Sequence, residues 1–123
     1  MSISDKRAAD LLCSAFEGGS NYWYNIVNQI EPAVKAKPWG DEYTPSYISI
    51  PFSDGGKLII QDIEGDEDSE RYSLDLKAIE RGKKLLLTEE YQHHFADICQ
   101  EQDDADTGDV FLQLCLFGEV IYG

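Results

Sequence analysis

The apolar residues of this chain change period twice, and that change narrows its fold more than any other feature. Near the N-terminus Ala8, Leu11, Leu12 and Ala15 fall at i, i+3, i+4 and i+7, the stripe of an amphipathic helix. Ser4 or Asp5 stands where its cap belongs. The pattern then shifts to short aromatic and β-branched runs: "YWYNIVNQI" (22–30), "SYISIPF" (46–52), "KLIIQDI" (57–63) and "RYSL" (71–74). Such runs read as strands, although Trp23, Ile26, Val27 and Ile30 also fit a helical stripe. Helical spacing returns from Leu76, in "TEEYQHHFADICQ" (88–100) and in "TGDVFLQLCLF" (107–117). The sequence therefore predicts an α+β fold, a small antiparallel sheet of three or four strands with N- and C-terminal helices covering one face. A length of 123 residues suits a single domain over 1–123.

Glycine, proline and polar residues divide these elements. Gly18 sits where a left-handed residue would stop the first helix. Residues 31–45 hold three prolines and a glycine and read as an irregular loop. Pro51 demotes 46–52 to an edge or bulged strand, and the turn "SDGG" (53–56) would join it to 57–63 as a hairpin. The polar run 64–70 is expected to be an exposed connection. Ser73 or Asp75 would cap a second helix, with Leu76, Ile79 and either Lys83 or Leu86 facing inward and Gly82 weakening it. Asp106 and Asp109 resemble a capping arrangement for the last helix. Gly118 would stop that helix, and "EVIYG" (119–123) reads as a short closing strand.

Charge separates the function classes. Twenty-four acids and ten bases give a net charge of −14. Residues 62–109 hold sixteen acids and five bases, and residues 89–109 hold eight acids and no Lys or Arg. Such a chain repels nucleic acid and anionic membranes and attracts basic surfaces. Three bases, Lys77, Arg81 and Lys84, share roughly one face of the second helix, too few for a phosphate-binding stripe. A carboxylate array on a rigid scaffold can imitate a phosphate backbone and fill the groove of a nucleic-acid-binding protein. A merely solvated acidic face is the commoner explanation of such charge. No apolar run approaches the roughly 20 residues that span a membrane. The first residues lack a secretory pattern, and three widely spaced cysteines suit a reducing, cytoplasmic setting.

Known catalytic and ligand patterns do not match. Asp62, Glu64 and Asp66 start like a calcium loop, but Glu67 and Ser73 occupy its sixth and twelfth positions, where glycine and glutamate belong. His93, His94 and Cys99 lack the paired spacing of a zinc site. "SDGGK" lacks the spacing of a phosphate loop. Cys13, Cys99 and Cys115 lie on apolar helical stripes, as inert core thiols do. No metal or cofactor is expected.

Two stretches carry a resemblance. "FEGGSNYWYN" supplies Glu17, Gly18, Gly19, Tyr22 and Trp23; the C-terminal stretch supplies Asp106, Thr107, Asp109, Gln113, Phe117, Gly118, Glu119, Tyr122 and Gly123. Together they resemble a family of small proteins met in phages, plasmids and other mobile elements. Its middle is matched loosely by "GGKLII" and "YSLDLKAIERG", and Gly108 stands where the family has alanine. The resemblance implies a context and no activity: a non-enzymatic protein that binds and disables host machinery in the bacterial cytoplasm. With the charge, it leads to an expected anti-defence inhibitor of a restriction or CRISPR effector, acting on a host protein with a basic surface. Asp66, Glu67, Asp68, Glu101, Asp103 and Asp104 are the expected contacts. The alternatives are a nucleotide or small-molecule pocket walled by Tyr22, Trp23, Tyr24 and Trp39, or a structural subunit. A homodimer is compatible with each. Recurrence of the two stretches together also suggests that the chain ends pack on one another.

Overall fold

The computed structural model describes residues 3–19, 24–32, 46–62, 71–91 and 105–122. Helix α1 spans Asp5–Ser14. Ser4 caps it, its hydroxyl accepting from the Arg7 amide at 3.2 Å. Ala8, Leu11, Leu12 and Ala15 are buried as their spacing requires. The helix does not end in a left-handed glycine. It widens into a π turn over Ala15–Gly19, and Gly18 has φ 179°, ordinary extended backbone. The wider turn keeps Phe16 buried, and the Phe16 carbonyl accepts a hydrogen bond from the Tyr24 hydroxyl at 2.8 Å.

Three strands form one antiparallel sheet in the order β1 (Tyr24–Ile30), β2 (Lys57–Asp62), β3 (Arg71–Leu74). Ile26 and Tyr72 flank Ile60, and Leu74 lies opposite Leu58. A bulge between Ile26 and Asn28 shifts the β1 register. Leu58, Ile60 and Leu74 point into the core.

The expected hairpin of 46–52 with 57–63 does not form. Residues Ser46–Phe52 are a 3₁₀ helix, and β2 pairs with β1 and β3 instead. Ile48 through Ser53 are buried in an unbroken run, whereas a strand with one covered face exposes alternate residues. The Ser53 hydroxyl donates to the Ser49 carbonyl at 2.7 Å and closes the last turn. The tight turn at 53–56 exists, with the Gly56 amide on the Ser53 carbonyl at 3.0 Å, but it leads from this helix into β2.

Helix α2 spans Leu76–Leu86 and is capped by Asp75, whose Oδ1 accepts from the Ala78 amide at 3.0 Å. Its inner face is Ala78, Ile79, Gly82 and Leu86. Leu76, expected inside, is 37% exposed. Gly82 lies where α2 meets the last helix: a Cβ there would stand 2.3 Å from Cys115 Sγ. A short 3₁₀ turn, Glu89–Tyr91, is the described part of the helix expected over 88–100.

Helix α3, Ala105–Phe117, is the core of the fold. Every residue from Phe111 to Leu116 is buried, because α1 packs on one side and α2 on another. Asp106 is its second residue, and the side chain that the expected Asp106–Asp109 capping arrangement needs lies outside what is described. Gly108 does not merely weaken the helix start. A Cβ there would lie 2.6 Å from the Leu11 carbonyl oxygen, so glycine permits the approach of α1. Gly118, at φ 77°, stops the helix as its position predicts.

The tail is not a strand. Residues 120–122 are irregular and held by the buried Gln113 amide. Its Oε1 accepts from the Ile121 and Tyr122 amides, each at 2.9 Å, and its Nε2 donates to the Tyr122 carbonyl at 3.0 Å. The Tyr122 hydroxyl donates to the Asp62 carboxylate at the end of β2. The architecture is thus α+β, a three-stranded antiparallel sheet with helices at both ends of the chain. Its described buried apolar residues form one contiguous core.

Candidate functional site

The sequence-derived site residues fall mostly outside the described structure. Asp66, Glu67, Asp68, Glu101, Asp103 and Asp104 lie outside the described residues, as do Tyr22, Trp23 and Trp39, and His93, His94 and Cys99. The charge divides in the same way. Thirteen acids and eight bases are on described residues, a net of −5, and the other residues carry −9.

Tyr24 is the one described member of the proposed aromatic pocket. Its ring packs on Phe16 with centroids 5.2 Å apart, and the Tyr47 ring lies 6.0 Å from Phe16. Its hydroxyl is engaged by the Phe16 carbonyl. Burial, and then the neighbouring Tyr47, push its pKa up to about 12. This cluster ties the end of α1 to the first residue of β1, which is a structural role.

Cys115 is fully buried, and burial pushes its thiol well above the usual range. A thiol held in the neutral form is a poor nucleophile. Among the described residues no three His, Cys, Asp or Glu side chains converge as a metal site would require. The "SDGGK" turn does pack beside the start of α2, around a cleft of about 280 Å³. The Asp75 carboxylate already takes that helix start, so an anion there would meet a negative group.

The larger surface feature was only half visible in the sequence. A shallow groove of about 570 Å³ runs along the outer side of α2, lined by Leu76, Lys77, Glu80, Arg81, Lys84 and Leu85. Helical spacing puts these residues in two rows, Leu76–Glu80–Lys84 and Lys77–Arg81–Leu85, each stepping by four. Arg81 is anchored across the helix interface. Its guanidinium donates to the Cys115 carbonyl, through Nε at 3.1 Å and also through Nη2. That carbonyl belongs to the last turn of α3, where acceptors lack helical partners. α3 has no basic residue of its own in that turn, so Arg81 supplies the cation its C-terminus favours. Lys83 turns away from the groove to the Asp5 carboxylate of α1 and also contacts Glu80 at 3.4 Å. Among the described residues Lys77 and Lys84 make no ion pair.

No helix of the described residues is long and apolar enough to cross a membrane. No family model, curated protein or solved structure matches this chain.

Proposed function

We propose that this protein is a non-enzymatic, mobile-element-associated inhibitor that binds a basic nucleic-acid-binding surface of a host defence protein in the bacterial cytoplasm. The observation that carries this reading is the distribution of charge: −14 overall, with −9 outside the described scaffold. Two of the acidic stretches are attached at different points. Residues 63–70 link β2 to β3 and leave from Asp62, which is bonded to Tyr122 of the tail that folds back onto Gln113. Residues 92–104 lead into the start of α3, at Ala105. Ala105 and Gln113 are eight residue steps apart on α3, about 12 Å along its axis, so the two stretches leave the scaffold at separate places. The scaffold between them is a packed core, and a rigid scaffold spares a mimic the entropy of ordering its charges.

The test is capture of host proteins at low and at high salt, followed by charge reversal. The expected result is a nucleic-acid-binding protein retained near 50 mM salt and released near 500 mM, where screening lengths fall from roughly 14 to 4 Å. Duplex DNA should compete with it. Reversal of Asp66, Glu67 and Asp68, or of Glu101, Asp103 and Asp104, should abolish capture. Binding indifferent to both salt and reversal would sink the proposal.

A further inference from the structure

The groove along α2 is the opposite of the rest of the molecule in charge. Five of the ten bases of the chain lie between residues 71 and 84, and three of them line this one groove. Glu80, the single acid among its described lining residues, is already in contact with Lys83. Leu76, 37% exposed, and the half-buried Leu85 lie near the two ends of the groove. Nine residue steps separate them, about 14 Å along the helix axis and half a circle around it, so they border the groove on opposite sides with Lys77, Glu80 and Lys84 between them. Two rows stepping by four with a furrow between them are the surface into which a ridge of another helix packs.

From this we infer that the α2 groove docks an acidic amphipathic helix of a partner protein. Apolar residues on its two flanks would reach Leu76 on one border of the groove and Leu85 on the other. Its carboxylates would meet Lys77 and Lys84, which among the described residues have no counter-ion. Charge complementarity selects this occupant over nucleic acid, because a polyanion long enough to use the lysines also meets the acidic remainder of the chain. A helix brings a compact row of acids to the lysines and apolar flanks to the two leucines. This surface is separate from the carboxylates of the inhibitor reading, so the protein would have two interaction faces of opposite charge.

The test uses the whole chain and a fluorescent peptide of about 18 residues, a length at which a helix can persist in water. The peptide carries glutamates on one helical stripe with leucines on both flanks. A scrambled peptide of equal composition and a version with lysine for glutamate serve as controls. Only the ordered acidic peptide should bind, and amide shifts should centre on residues 76–85. Lys77→Glu with Lys84→Glu should weaken binding at least tenfold, and Leu76→Ala about threefold, with circular dichroism unchanged. Absence of binding at millimolar peptide, equal binding of the scrambled peptide, or indifference to the lysine reversals would overturn the inference. So would light scattering that shows a dimer lost on lysine reversal, which would make a second copy the occupant. Binding of the same face to phosphatidylserine vesicles in place of the peptide would overturn it in favour of a membrane. Loss of the basic host partner leaves this result untouched, because the two tests alter different residues.

Discussion

Gln113 shows how a polar residue can be the better choice for a buried site. It is completely buried in the middle of α3, a position where leucine would satisfy the apolar pattern. Its amide instead offers an acceptor to two tail amides and a donor to a tail carbonyl, as a neighbouring strand would. The tail therefore has its backbone bonds without being in the sheet. Replacement by leucine keeps most of the volume and removes all three bonds. Where a backbone group loses its partner and stays away from water, the cost is about 1–3 kcal/mol. Gln113→Leu is expected to lower unfolding free energy by an amount in that range in urea titrations. Faster hydrogen exchange at Ile121 and Tyr122 should accompany it. A variant as stable as the parent, with unchanged exchange, would show that the tail is held by its side chains alone. Those include Tyr122, on the Asp62 carboxylate and 6.2 Å from the Phe117 ring.

Between elements, distance overrules propensity. Alanine is about 1 kcal/mol better than glycine inside a helix, so α2 read alone favours Gly82→Ala. The packing says otherwise, because the new Cβ would lie 2.3 Å from Cys115 Sγ and 3.3 Å from Cys115 Cα. Overpacking of a tight contact costs about 1–3 kcal/mol, and the expected outcome is net destabilisation. Gly82→Ala combined with Cys115→Ala removes the sulfur and should recover part of the loss. A double-mutant cycle by chemical denaturation would show that coupling; additive effects would mean that the helices do not meet at this pair. The same distinction decides what the sequence could disclose. Periodicity and caps located α1, β1, β2, β3, α2 and the Gly118 stop, because those signals are local. The helix at Ser46–Phe52 was hidden because Tyr47, Ile48, Ile50 and Phe52 mimic a strand, and only tertiary contacts bury them continuously. The roles of Gly82 and Gly108 depend on which helix lies opposite, which spacing does not encode. For the α2 groove, the shared face of Lys77, Arg81 and Lys84 was legible. Arg81 bound to α3 and Lys83 bound to α1 were not.

At the scale of the molecule the question is whether salt stabilises or weakens the fold. Two effects oppose each other. Among the described residues, salt screens the pairs of Lys83 with Asp5 and with Glu80 and of Lys6 with Asp10 at 3.9 Å. Each has at least one solvent-exposed partner, and pairs near the surface are worth about 0–1 kcal/mol each, so little is lost. Salt also screens the mutual repulsion of 24 acids that face only ten bases, a force that opposes the compact state. The second effect should win. Raising sodium chloride from about 20 mM to about 500 mM shortens the screening length from roughly 20 to 4 Å. A gain near 1 kcal/mol would raise the melting temperature by about 4 °C. Scanning calorimetry across that range measures it directly. Reversal of Glu101, Asp103 and Asp104 to lysine should shrink the salt response, because it removes six units of negative charge. A melting temperature that falls with salt would mean that attractive pairs dominate, and the acids would then be matched within the fold. Their surplus would no longer be available for a basic partner.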